Sequence, residues 1–578
     1  MKEAIIILGA GVMQGPAINI AKELGYYAIA LDGSSAAPCV SLADRFEQID
    51  LKAKEEIETF ARSIQGDFNR IGIMTAGTDF SASVAWTAEK LGLPGIPYEA
   101  ALNASDKSRM RECFKKAALP SPDFKIISKE EFHTKAQRHK ELNISYPAVI
   151  KPVDNMGSRG CRRVDNYEEL EEALKTALSF SRSGRAIVEN YMEGPEFSVD
   201  AIVYKGKITI CGLADRHIFF PPYFIEMGHT MPTVIDDEKQ NAMLDTFRAG
   251  IHALGLAGKD NIGAAKGDIK LTAKGPMIGE IAARLSGGYM SGWTYPYSSG
   301  ALPIKGAILA AMGQKPDGLI PTKKWTCAER AFISIPGTIK EIRNREIKNK
   351  KIENDKVNIY INDVFMRIKE GDKVAFPENN VSKCGNIIAS APDRETAVKA
   401  AEDAARSILI RLDPTDPETR KFITEEPHTK AQRHEGHKEE NKVIFPPDAF
   451  ELTDELRDTL FQIPETTIGK FNENNTVNNN FVPSCLSVNS SVLVTPFPAF
   501  ENSGLTDYMG RTVQEVLEAV QILCAPAFSK PPENAENIVR LGKSFWAALI
   551  RGSYQGAVYY IDTYNLSSGE KIDKEEAH

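Results

Sequence analysis

Cysteine is sparse in this sequence and never paired. The eight thiols, at positions 39, 113, 161, 211, 327, 384, 485 and 524, form no C-x-x-C pair. That spacing leaves neither a zinc site nor a disulfide framework to expect, and reduced, buried thiols in a cytoplasmic protein fit best. No apolar run is long enough to cross a membrane. The run after the N-terminus, AIIIL at 4–8, stops at Gly9; it is too short for the apolar region of a signal segment and reads as a buried first strand. A strong charge of one sign is missing too: 70 Lys and Arg stand against 78 Asp and Glu, a net −8, which calls for neither a nucleic-acid nor a membrane partner. There is no Ser/His/Asp or Cys/His signature of a covalent nucleophile. What remains is an ordinary globular composition, 42% apolar and 26% charged, in a chain long enough for several domains.

Short apolar runs at 4–8, 27–31 and 71–75 alternate with helical patterns, the signature of an open parallel α/β domain. Gly9, Gly11 and Gly15 follow the first run with one residue more than the dinucleotide fingerprint allows. They read as a tight turn with close helix–strand packing, or as a seat for a substrate anion at the helix N-terminus. From Ser105 the character changes: a helix over 106–118, mixed strands and helices to about 325, short strands including 357–361 and 364–368, and a helix over 394–411. Residues 413–441 are polar and charge-rich and read as a linker. The final region, 442–578, contains a helix with Val513, Val516, Leu517, Val520 and Leu523 at core-face spacing, and its Trp546, Tyr559 and Tyr560 read as core. The heptapeptide HTKAQRH occurs at 133–139 and 428–434. Two copies do not make a solenoid, and they read as sequence inserted at exposed loops.

The stretch from Asp268 to Gly288 reads as strand, turn, strand, with the turn at Lys274-Gly275-Pro276. Folding the arms antiparallel brings Asp268 and Glu280 together, with Arg284 beside them. Two carboxylates without sulfur or imidazole suit a hard cation such as Mg²⁺, completed by substrate phosphates. Candidate phosphate handlers lie upstream. Lys151 ends the apolar strand YPAVIK, Lys107 opens a helix, and Gly157-Ser158-Arg159-Gly160 forms a loop whose backbone N–H groups can cover a polyphosphate. A strand ending at Glu189 and a Gly194-Pro195 turn make a hinge that can offer backbone groups to an adenine edge, with Glu196 placed for a ribose hydroxyl. Arg216, His217 and His229 lie between that hinge and the acidic strands; for each, contact with substrate stands beside plain packing.

In the motifs SDKSRM (105–110), YPAVIKP (146–152), GSRG (157–160), VENYMEGPEFSVD (188–200) and GEIAARLSGG (279–288), the chain resembles the ATP-grasp superfamily. The resemblance extends over about residues 1–412. It implies an α/β and α+β multidomain architecture: a Rossmann-like pre-grasp domain at 1–104, the ATP-grasp fold at 105–325 and its C-terminal portion at 326–412. That last portion is similar to those of biotin carboxylase and of purine-pathway and amino-acid ligases. The linker and a C-terminal domain of open role, 442–578, follow. The resemblance implies that Lys107, Lys151 and Gly157–Gly160 contact ATP phosphates, that Glu189, Tyr191 and Met192 form the adenine hinge and that Glu196 meets the ribose. By the same resemblance Asp268 and Glu280 hold Mg²⁺, or Mn²⁺, and Arg284 steadies the transferred phosphoryl group. The activity it implies is an ATP-dependent carboxylate–amine ligase working through an acyl phosphate on small-molecule acid and amine substrates, with a homodimer admitted. A bicarbonate-using carboxylase or carbamoyl-phosphate-type enzyme is the alternative. The family pattern after the second acid is E-I-N-P-R, whereas here it is Glu280-Ile281-Ala282-Ala283-Arg284; loss of the amide motivates a third reading, a nucleotide-binding regulatory protein.

Overall fold

A computed structural model describes residues 2–134, 145–347, 350–354, 357–424, 448–470, 490–530 and 537–575. The first four strands, β1 (Glu3–Leu8), β2 (Tyr27–Asp32), β3 (Arg45–Gln48) and β4 (Arg70–Thr75), form a parallel sheet in the order β3-β2-β1-β4. Helices on both faces bury β1 almost end to end, which is why it reads as an unbroken run of isoleucines rather than an alternation. The glycine turn after β1 is closed by the protein itself. Gly9 has φ +101°, and a Cβ there would stand 2.9 Å from the Gln14 side chain. The Gly11 N–H donates to Gln14 Oε1 at 3.0 Å and the Ala10 N–H to Asp32 Oδ2 at 2.9 Å. The tight turn with close packing read from the sequence is present.

Two further sheets face each other across a cleft. The smaller holds β5 (Phe124–Ser128), β6 (Ala148–Pro152), β7 (Arg162–Val164) and β8 (Arg185–Asn190), ordered β5-β8-β6-β7 and covered by the helix Tyr167–Phe180. Strand β9 (Glu196–Tyr204) follows through the Gly194–Pro195 turn and begins the larger sheet. That sheet also contains β10 (Lys207–Phe219), β11 (Ile225–Met231), β12 (Ile262–Thr272), β13 (Gly275–Ala282) and β14 (Thr326–Phe332). The chain then forms β15 (Gly337–Arg343), β16 (Lys350–Asn354), β17 (Val357–Met366), β18 (Lys373–Val374), β19 (Gly385–Ala391) and β20 (Leu409–Leu412). The large sheet has nine strands in the order β13-β12-β9-β10-β11-β14-β19-β17-β16, so it runs unbroken across position 325, while β18-β15-β20 make a separate sheet.

Three expectations change. The two strands read at 357–361 and 364–368 are one, β17, bulged between Ile361 and Asp363. The helix expected over 394–411 ends at Ser407, because the apolar Ile408–Leu412 run pairs with β15 instead. The linker read at 413–441 starts as packed structure. Pro417–Thr424 is a helix whose Phe422 and Ile423 are buried, and only its part from 425 on lies outside the described residues. Of the repeated heptapeptide, His133 and Thr134 end a short helix; the rest of both copies lies outside the described residues.

The C-terminal region forms its own sheet, β21 (Thr467–Lys470), β22 (Ser490–Val494) and β23 (Asn537–Leu541), ordered β21-β23-β22. The helix Val513–Leu523 has a Thr512–Glu515 capping box. Trp546 is fully buried, its Nε1–H donating to the Thr495 carbonyl at 2.7 Å. Tyr559 is buried in a core shared with the β14–β20 portion, so this region packs against the body of the molecule. Among the described residues no helix is long and apolar enough to cross a membrane.

Candidate functional site

A cavity of about 450 Å³ opens between the two facing sheets. At its floor β12 and β13 pair antiparallel, with Asp268 directly opposite Glu280 and a register shift just after Asp268. The shared register puts both side chains on one face of the sheet. Asp268 accepts from Ser198 Oγ at 2.8 Å, pairs with Arg216 Nη1 at 3.1 Å and is held by Lys266. Glu280 lies 3.6 Å from Lys107 Nζ. Burial alone would push both carboxyls up, but the facing cations, Arg216 and Lys266 for Asp268 and chiefly Lys107 for Glu280, bring both below the ordinary carboxylate range. Both acids are therefore anionic at neutral pH. Among the described residues no three His, Cys, Asp or Glu gather as a ligand set. The protein offers two hard oxygen donors on one wall, and that fits Mg²⁺ or Mn²⁺ with phosphate oxygens completing the shell.

The upstream cations converge on the same cavity. Lys107 opens the helix Lys107–Lys116, which is capped by Asp106. Its Nζ donates to the Asn155 carbonyl at 2.9 Å, next to the glycine loop. Lys151, at the end of β6, pairs with Glu189 at 2.7 Å, and the fully buried Arg111 holds the same carboxylate at 2.8 Å. Burial opposes ionisation of Glu189, yet Arg111 and Lys151 hold its carboxyl down to about 2. The Glu189 carboxylate is thus engaged by two cations, which leaves the backbone groups of the hinge as the ones it can offer to a base edge.

Within the glycine loop, Gly157, Ser158 and Gly160 all have positive φ, +68°, +59° and +69°. Gly157, Ser158 and Arg159 line the cavity. Gly160 is not among the lining residues; a Cβ there would come within 2.9 Å of Phe180, so the loop packs closely at this glycine. The Tyr191 ring has Arg163 at 4.7 Å and Lys270 at 4.9 Å from its centroid and stacks with Phe224 at 6.3 Å. With Met192 beside it on the cavity wall, this makes a flat platform suited to an aromatic base. Glu196 pairs with Arg216 and, at 3.7 Å, with Lys270. Arg284 is 8% exposed; one Nη donates to the Leu285 carbonyl at 3.2 Å, while its Nε has no hydrogen-bond partner. Arg284 is among the residues that line the cavity, and a guanidinium there can pair with an anionic oxygen.

Of the three residues between hinge and acids, Arg216 and His229 reach the cavity and His217 does not. Side chains alternate along a strand, so Arg216 and Ile218 face inward while His217 turns away to bond Thr230 Oγ1 at 2.9 Å. Burial, with Arg330 nearby, lowers the His217 imidazole to about 3. Sequence reasoning missed Lys266, Glu226, Arg367 and Lys383, all on the cavity wall. Lys266 was legible by the same alternation, since it stands two positions before Asp268 on the same face. Its partner across the ladder is Ala282, the residue that stands where an amide was expected.

A family model described as an ATP-grasp domain matches residues 144–291, and one described as L-amino acid ligase C-terminal domain 2 matches 331–413. An uncharacterized protein of Sinorhizobium fredii is 23% identical over 72% of this chain and 84% of its own length. The D-alanine–D-alanine ligase B of Pseudomonas putida is 23% identical over 41% of this chain and 77% of its own. The crystal structure of an L-amino acid ligase from Bacillus licheniformis superposes with a TM-score of 0.59 at 20% identity, covering 72% of this chain and 99% of that one.

Proposed function

This chain carries an ATP-grasp domain followed by an L-amino acid ligase C-terminal domain, and on that premise we propose that it is an ATP-dependent carboxylate–amine ligase working through an acyl phosphate. The observation that carries the reading is convergence: Lys107, Lys151, the 157–159 loop, Asp268, Glu280 and Arg284 come from separate elements and line one cavity. The carboxyl-substrate oxygen attacks the γ-phosphorus, the bond to the leaving ADP oxygen breaks, and an acyl phosphate forms. The amine nitrogen then attacks the acyl carbon, the carbon–oxygen bond breaks, inorganic phosphate leaves with the electron pair, and the amine gives up a proton.

Neither step needs a covalent nucleophile from the protein; both need charge neutralisation and alignment. Lys107 and Lys151 stand over the phosphates, with Lys151 held in place by Glu189. Arg284, a cation on the cavity wall, meets the transferring phosphoryl group. The Tyr191 platform takes the base, and Glu196 takes a ribose hydroxyl. Bound at Asp268 and Glu280, Mg²⁺ supplies charge neutralisation of the phosphate oxygens. Residues 1–104 act as the pre-grasp domain and 105–325 as the grasp domain, with 326–412 completing the site. The relatives' names point to amino acids as the acid class.

The test is to mix the protein, Mg-ATP, hydroxylamine and pooled amino acids or other carboxylates. Acyl hydroxamate with stoichiometric phosphate is the expected result. ATP turnover only with bicarbonate would replace the ligase with a carboxylase, and nucleotide binding without turnover under every acid would make the protein a non-catalytic binder. Glu280→Gln is expected to lower Mg-dependent turnover by about 100-fold or more while the protein remains folded. Unchanged turnover would remove Glu280 from the metal site.

A further inference from the structure

The loop between β18 and β19 carries Asn380, and all four of its polar groups are engaged, three of them by partners more than 150 residues away and the fourth by Arg367. Its backbone N–H donates to the Gly157 carbonyl at 3.0 Å and its Nδ2 to Ser158 Oγ at 3.3 Å. Its Oδ1 accepts from the Glu226 N–H at 2.7 Å, and its carbonyl accepts from Arg367 Nη1 at 3.1 Å. The first two bonds reach the glycine loop, across the mouth of the cavity. The other two anchor the residue to the large sheet, at the start of β11 and just past the end of β17. Val381 next to it stays 55% exposed on the cavity wall, 3.6 Å from where a Gly157 Cβ would stand.

We propose that Asn380 is a positioning residue, the tip of a latch that fastens the glycine loop in its closed position over the nucleotide. The inference rests on the nucleotide reading given above. The loop it holds runs through left-handed conformations at Gly157, Ser158 and Gly160, so its path depends on outside contacts more than on local preference. The bonds to the loop are two neutral hydrogen bonds, weak enough to break and re-form in each catalytic cycle. The anchoring bonds stay with the rigid sheet when the loop lifts. The latch is rooted at Phe376, whose ring packs edge-on against Phe220 of the β10–β11 connection, 5.1 Å away, and against Tyr508 of the C-terminal region, 5.8 Å away.

The test uses the full chain and ADP with Mg²⁺ as the probe. Asn380→Ala is expected to weaken ADP binding about ten-fold by calorimetry, the loss of two net hydrogen bonds. The loss lies in faster dissociation, with KM for ATP raised in step and kcat within about three-fold. Trypsin should cut after Arg159 in the ADP-bound variant and spare the ADP-bound parent. Ser382→Ala, in the same loop but bonded within it to the Asn379 carbonyl at 3.1 Å, should match the parent in both assays. ADP affinity and trypsin sensitivity of Asn380→Ala within about two-fold of the parent would overturn the latch. Should Asn380→Ala not fold, Ser158→Ala removes one latch bond and takes its place, expected to weaken ADP about three-fold; no change there would likewise overturn the latch. A parent protein that fails to bind ADP at all would instead overturn the nucleotide reading.

Discussion

Glu189 illustrates how far a single residue can be read. Its place at the end of a strand was legible, but not its partners: Lys151 and Arg111 come from other elements and meet it only in the folded molecule. The carboxyl lies near 2 when folded and near 4.5 in its ordinary state. Because the folded value is depressed, its stabilisation is present above about pH 4.5 and drains away as pH falls from there towards 2. Glu189→Gln should therefore flatten the acid limb of a stability-versus-pH curve between about pH 4.5 and 2, measured by urea unfolding. At pH 7 it should destabilise by about 3–5 kcal/mol, because Arg111 and Lys151 are left as cations without their counter-charge. An unchanged acid limb would refute the pairing. Arg284 stands at the opposite extreme: its position followed from spacing after Glu280, while its open Nε is a product of packing alone.

At the scale of elements, the β12–β13 hairpin was the most legible part of the site. A turn signal and two short arms determine which residues face each other, and Asp268 does meet Glu280. The β8–β9 connection was legible as a turn but not as a point of tight contact. Gly194 has φ +133°, and a Cβ there would lie 2.2 Å from the Leu271 carbonyl oxygen at the end of β12. Gly194→Ala should cost about 2–4 kcal/mol of unfolding free energy by denaturant titration, a backbone clash added to left-handed strain. It should also raise KM for ATP, because Tyr191 and Met192 sit on the same connection. The ends of elements misled most. The helix pattern from 394 ran on to 411 because Leu409 and Leu412 also fit a helical face, and pairing of that run with β15 settled the matter.

For the whole molecule, the informative finding is that the C-terminal region packs through aromatic contacts on the root of the loop that borders the cavity. Tyr508 packs on Phe376 at the root of the loop that carries Asn380, and its hydroxyl donates to Gln555 Oε1 at 3.3 Å. Tyr508→Ala should weaken Mg-ADP binding about three- to ten-fold although Tyr508 lines no part of the cavity, and Tyr508→Phe, which keeps the ring, should restore it. Calorimetry checks both, and ADP affinity equal to the parent in Tyr508→Ala would disconnect this region from the site. Nothing local in residues 442–578 announces such a role, since their apolar positions read only as core.

By itself the sequence determined the order of the parts: a parallel α/β start, two lysines, a glycine loop, a hinge, and two acids with an arginine. These are local patterns, set by backbone preferences, alternation and turn chemistry within a few residues. Tertiary structure alone decided which groups neutralise one another, that Gly160 lies against Phe180, that His217 faces away from the cavity, and that Asn380 ties the glycine loop to the large sheet. The physical reason is that charge pairing, burial and closure depend on distances between segments far apart in the chain, and those distances exist only once the sheets have stacked.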